Sequence, residues 1–169
     1  RNMIGIGVAT GAAGIIVGTI ALTGAHQVVG EFVEFLAGGH LMVMLILVAV
    51  MSLILGMGLP TTANYIVVSS LMAPVIVALG AKSGLIVPLV VVHLFVFYFG
   101  ILADDTPPVG LAAYAAAAIA KSPPIATGIQ AFMYDIRTAI LPFMFIFNSD
   151  LILHNINRWD QGLLVFAMA

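Results

Sequence analysis

Cysteine is absent from the 169 residues, so the chain has no disulfide framework, no thiolate metal site and no thiol nucleophile. Charge is scarce as well, because Asp, Glu, Lys and Arg together make up only 7% of the sequence. The formal net charge of −2 offers nothing to a phosphate backbone, and no nucleic-acid partner is expected. The four histidines are scattered without ligand spacing, which implies no zinc site. What fills the chain instead is apolar: 63% of the residues are hydrophobic, and the mean hydropathy of +1.22 lies far above that of a soluble globular domain. The composition is that of an all-α polytopic membrane protein, since only helices and closed barrels satisfy the backbone in lipid. Seventeen glycines and eight prolines are many for simple spans, yet they suit helices that pack closely and break. The chain begins at Arg1 without a signal-peptide pattern and ends in "GLLVFAMA", residues 162–169, where a further span would begin; it reads as a piece of a longer polypeptide.

Residues 3–24 form an uncharged stretch of the roughly 20 residues that a transmembrane helix needs. Gly7 with Gly11 and Gly14 with Gly18 are small-xxx-small pairs that let another helix approach closely. Residues 26–40, "HQVVGEFVEFLAGGH", interrupt an apolar pattern with Glu31 and Glu34 and read as an interfacial helix or loop. Residues 41–80 as one helix would be about 60 Å long, too long for one crossing. The segment must turn at "GMGLPTTAN", where Pro60 lacks an amide hydrogen and Gly56 and Gly58 weaken the helix. Asn64 or Thr62 can cap the second leg, Pro74 predicts a kink within it, and the two legs fit either a re-entrant hairpin or two spans.

Residues 84–120 hold the second break. A run of Val, Leu, Phe and Tyr leads into "FGILADDTPPVG", residues 99–110, before "LAAYAAAAIA" resumes a helix too short to cross alone. Residues 123–153 read as an amphipathic arm leading into a tilted span, with Asp135 and Arg137 close enough to pair. Two discontinuous helices, each broken at a Gly-, Pro- and Thr-rich turn, have a known physical use. A break inside the bilayer frees carbonyls and amides that only protein, water or a ligand can satisfy, so it survives where it lines a cavity. Carbonyl oxygens with Thr hydroxyls beside them form a hard oxygen cage suited to a small cation such as Na⁺, while the amino ends of half-helices favour an anion.

Three ordered motifs, "LILGMGLPTTANYIVVSSLMAPVI", "HLFVFYFGILADDTPPVGLAAYAAAAIA" and "PFMFIFN", resemble the large membrane subunit of tripartite ATP-independent periplasmic (TRAP) transporters, in particular the fused permeases that work with TAXI-type binding proteins. The resemblance covers about residues 41–150. It implies the second inverted repeat of an elevator-type ion transporter, with a re-entrant helical hairpin and a broken transmembrane helix in a bacterial inner membrane. Its implied partners are a TAXI-type periplasmic solute-binding protein, the rest of the permease with its small-subunit region, an organic anion and the lipid bilayer. The implied coupling ion is Na⁺, with no organic cofactor. By this resemblance Gly56 to Ala63 is the hairpin tip and Ala103 to Gly110 the unwound turn facing it. Gly56, Gly58, Pro60, Thr61, Thr62, Ala103, Asp105 and Thr106 are then the candidate Na⁺ residues. Asn64, Asp104, Pro107, Pro108 and Gly110 are the candidate substrate contacts, the prolines chiefly by enforcing the breaks.

Adjacent side chains at a turn point apart, so Asp104 and Asp105 are expected to be unequal. Asp105, beside Thr106 and the prolines, is placed nearer the cavity, and Asp104 at a helix cap or in water. Both aspartates could instead lie at the membrane surface, and the threonines could act only as caps. His93 reads as a packing histidine rather than a proton relay. Two other classes of function fit the sequence less well. An intramembrane aspartyl protease needs two carboxylates facing each other from separate helices, and no second intramembrane Asp is evident. A structural or channel-like subunit would show no ion-dependent stabilisation. Lys82 is expected on the same face as the Glu31 loop, with Arg1, Lys121 and Arg137 opposite, which weakly favours the Arg1 face as cytoplasmic.

Overall fold

The computed structural model describes residues 2–57, 59–107, 110–154, 156 and 158–168, and among them every regular element is helical. Helix α1, Asn2–Thr23, is uninterrupted because nothing in its 22 residues carries charge or a proline. It stops at Gly24, whose φ of +67° is left-handed, and α2, Ala25–Ala37, departs at a bend of 71°. Three of α2's residues, Gly30, Val33 and Ala37, are buried, whereas Val28, Phe32, Phe35 and Leu36 are exposed. Gly30 is required where α2 meets α4, since a Cβ there would overlap Val75. Lys82 Nζ pairs with Glu34 Oε1 at 2.7 Å, so α2 and the end of α4 do share a face. Against Gly11, Gly14 and Gly18 of α1, by contrast, a Cβ would meet no atom within 4 Å, so no described part of this chain packs onto those glycines.

Helices α3, Leu41–Gly56, and α4, Thr61–Lys82, form a hairpin whose connection is residues 57–60. The 16 residues of α3 measure about 24 Å, short of a hydrocarbon core, and the 22 of α4 about 33 Å. Pro74 is accommodated inside α4, which continues through it. Helix α5, Leu89–Asp105, packs against both legs, and the turn after it leads to α6, Leu111–Ala120. Then come α7, Pro124–Asp135; α8, Ile140–Phe147; a 3₁₀ turn, Ser149–Ile152; and α9, Trp159–Met168.

The core lies between α3, α4 and α5, where Met44, Leu45, Val48, Val68, Met72, Ile76, Val91, Val92, Phe95 and Val96 are wholly buried. Phe95 meets Phe143 of α8 edge-on, with ring centroids 5.2 Å apart. In lipid such contacts hold helices together by close packing, because an exposed Leu loses nothing to hydrocarbon. The outer surface accordingly carries Leu22, Phe35 and Ile86 freely exposed. Thr61–Lys82 and Pro124–Phe147 are long and apolar enough to cross a membrane, and the bent stretch from Gly14 to Ala37 makes a third candidate.

Candidate functional site

The two helix breaks converge because small residues let α5 lie directly against the hairpin. A Cβ on Gly56, the last residue of α3, would overlap Ala103 of α5 and come within 2.8 Å of Asn64 Nδ2. Gly100, one turn earlier on α5, faces Thr61 and Asn64. Across this contact the Thr61 hydroxyl donates to the Asp104 carboxylate, joining the first residue of α4 to the end of α5. Three residues further along α4, fully buried Asn64 donates from Nδ2 to the Ser52 carbonyl of α3 at 2.8 Å. Asn64 Oδ1 and Ser52 Oγ are buried without a hydrogen-bond partner among the described residues. The carbonyl ends of α3 and α5 bring partial negative charge to this corner, and the amino ends of α4 and α6 flank it with partial positive charge. The nearest basic residue of α4 is Lys82 at its far end, roughly 30 Å away along the helix. Among the described residues no group of three or more His, Cys, Asp or Glu side chains could hold a metal, so the donors available here are hydroxyl, carbonyl and one carboxylate.

The candidate residues divide between this corner and other places. Gly56, Thr61, Ala103 and Asp104 form it, with Asn64 beneath them. Gly58 and Pro108 lie outside the described residues. Pro60 is exposed and immediately precedes α4, its carbonyl accepting the Asn64 amide at 3.0 Å, and Thr62, the second residue of α4, is exposed. Neither Asn64 nor Thr62 caps α4, which has no side-chain cap. Asn64 is completely buried in this chain. Thr106 turns inward on its own helix, where its hydroxyl donates to the Leu102 carbonyl at 2.6 Å. Its own carbonyl accepts the Gly110 amide at 3.1 Å, closing the turn. Pro107 and Gly110 line a separate hollow of about 180 Å³ with Tyr114, Pro124, Ile125 and Gly128, between α6 and α7.

The two aspartates are unequal, as adjacent side chains must be. Asp104, not Asp105, reaches the hairpin tip. Asp105 lies on the side of α7, near enough to Asp135 for the two carboxyls to interact electrostatically. Asp135 does not pair with Arg137, whose guanidinium stands 5.8 Å from the Tyr134 ring centroid instead. His93 is partnered too, its Nδ1 3.0 Å from the Tyr65 hydroxyl.

Ser52, Gly100 and Asp135 were missed as parts of these contacts. For two of them a signal existed: Ser52 stands four residues before Gly56, and Gly100 four before Asp104, so each shares a helix face with a residue already singled out. Nothing in the spacing joins Asp135 to Asp105, because α6 and the turn after it intervene.

A family model described as "Tripartite ATP-independent periplasmic transporter, DctM component" matches residues 1–159. Neither the curated proteins nor the solved structures gave a match to the chain.

Proposed function

The chain belongs to the DctM component family of tripartite ATP-independent periplasmic transporters, and from that membership we propose a Na⁺-coupled secondary transporter that imports an organic anion by elevator-type alternating access. The family makes the chain a membrane permease component rather than an enzyme, associated with a periplasmic binding protein and a small membrane subunit. A TAXI-type binding protein is the partner favoured by the motifs around the two breaks, and the bacterial inner membrane is the matching location.

The observation that carries the coupling is the contact of Thr61 with Asp104 where two broken helices meet. A half-buried carboxylate with no basic residue paired to it among the described residues is costly in a membrane unless a proton or a cation balances it. The hydroxyl of Thr61 keeps lone pairs after donating to Asp104, and the α3 and α5 carbonyl ends supply further oxygens at the same corner. That donor set fits Na⁺, which when bound would neutralise Asp104. Thr61, Asp104 and the last turns of α3 and α5 orient the oxygens, and the close Gly56–Ala103 approach keeps water out of the gap. The amino ends of α4, where Thr62 is exposed, and of α6, beginning after Gly110, favour a carboxylate substrate.

The test is uptake into proteoliposomes by the complete permease, with its binding protein supplied outside and Na⁺ replaced by K⁺ at constant ionic strength. Uptake should require Na⁺, and Na⁺ should protect the permease against heat more than K⁺ does. Undiminished uptake in K⁺ alone would refute the coupling. Equal protection by both ions together with solute flux independent of either would instead fit a channel-like subunit.

A further inference from the structure

Asn64 is, among the described residues, the one wholly buried carboxamide beside the two breaks, and it joins its own helix to two others. It belongs to α4, it donates to the Ser52 carbonyl of α3, and it fills the space that Gly56 of α3 and Gly100 of α5 leave open. A Cβ on Gly56 would stand 2.8 Å from its Nδ2, and one on Gly100 would stand 3.6 Å away. Thr61 lies three residues before Asn64 on α4, and Asp104 four residues after Gly100 on α5, so each is the next residue along the same face. The carboxamide thus lies directly under the Thr61–Asp104 contact.

Packing alone does not favour Asn at this depth. Among the described residues its Oδ1 has no donor and the neighbouring Ser52 hydroxyl no partner, and a buried polar atom without a partner is destabilising. A Leu of similar size would leave no such atom. What Leu lacks is the directed Nδ2–H bond that ties α4 to the last turns of α3.

We propose that Asn64 is a positioning residue for the cation-binding corner: its carboxamide, anchored on the Ser52 carbonyl and seated against Gly56 and Gly100, sets the spacing of α3, α4 and α5 at which Thr61 meets Asp104. The inference rests on the Na⁺-coupled reading above. Asn64 acts through Thr61 and Asp104 and touches neither ion nor substrate.

The experiment compares Asn64→Asp, Asn64→Thr and Ser52→Ala in the complete permease, measuring Na⁺ dependence of uptake, substrate dependence at saturating Na⁺, and heat stability without Na⁺. Asn64→Asp keeps the shape and loses the donor, facing one oxygen with another. Asn64→Thr is smaller, and its hydroxyl has the Pro60 carbonyl one turn back as a partner, so the fold is retained if Asp is not tolerated. Both should raise the half-saturating Na⁺ concentration about tenfold, equivalent to about 1.4 kcal/mol, while leaving the substrate KM unchanged. Ser52→Ala, which spares the backbone carbonyl, should leave both constants within about twofold of the wild type.

A loss of heat stability with unchanged Na⁺ dependence would reduce Asn64 to packing and overturn the inference. So would a shift confined to substrate KM, or a Ser52→Ala effect as large as that of Asn64→Asp, which would make the two side chains direct ligands. If the wild type itself shows no Na⁺ dependence, the functional reading falls and the inference with it. If the wild type depends on Na⁺ and the Asn64 variants match it, only the inference falls.

Discussion

The two helix breaks are made from the same kinds of residue and do different work. At the first, residues 57–60, the chain turns against α5 so tightly that Gly56 has no room for a Cβ, and the side chains of Thr61 and Asn64 bond to other helices. At the second, residues 106–110, the Thr106 hydroxyl bonds back to its own helix and Pro107 opens onto a hollow beside α7. A threonine after a break therefore bridges helices only where a partner lies opposite; otherwise it closes its own last turn. The first break builds the polar corner, and the second delivers Asp104 to it.

The sharpest way to break this contrast is to add volume. Gly56→Val should destabilise the permease by about 2–3 kcal/mol, since it must push Ala103 and Asn64 aside in a packed core. Gly11→Val in α1, where a Cβ meets nothing, should stay within about 0.5 kcal/mol. Thermal unfolding in a fixed detergent compares the two, and similar losses would mean that the hairpin and α5 are not packed as described.

A second comparison sets the aspartates against each other. Asp104→Asn should raise the Na⁺ concentration for half-maximal uptake by about tenfold, through the loss of the one carboxylate at the corner. Asp105→Asn should shift it much less, because it is Asp104 that accepts from Thr61 at the hairpin tip. A larger effect at Asp105 would move the ion to the second break.

The threonines give a smaller and more specific separation. Thr61→Val should raise the half-saturating Na⁺ several-fold, on the order of the 0.5–1.5 kcal/mol of one hydrogen bond. Thr106→Val should lower heat stability by about 1 kcal/mol and leave the Na⁺ dependence alone, since its bond is internal to α5. An equal Na⁺ effect from both substitutions would erase the distinction between the breaks.

The smallest effect belongs to the Lys82–Glu34 pair that joins α2 to α4. Lys82 is 64% exposed, and Glu34→Gln should cost no more than about 0.5 kcal/mol, diminishing as salt rises. A salt-independent loss above that would show that the pair is better shielded than its exposure indicates.

The helical fold was legible because its causes are local. Apolar runs without charge must be helical in lipid, and Gly or Pro interrupts them wherever it removes a donor or weakens the turn. The family resemblance was legible for a related reason, since both breaks stand in the sequence as ordered motifs. Their partners were not legible to the same degree. Asn64 has the residue type and position of a helix cap, yet it is buried against Ser52, because the glycines of two other helices leave a space of its size. Asp135 and Arg137 look like a pair two residues apart, yet α7 turns the carboxyl toward Asp105 and leaves the guanidinium over Tyr134.

By itself the sequence determined an all-helical membrane chain, its two broken helices, and the pair of aspartates carried by the second break. Which aspartate and which threonine meet was decided only by tertiary structure. Neighbouring residues on a helix point about 100° apart, so Asp104 and Asp105 cannot share a partner, and their order in the chain does not say which of them faces α4. That choice depends on the rotation of α5 against the hairpin, set by Gly56, Gly100 and Ala103 permitting close approach on one face alone.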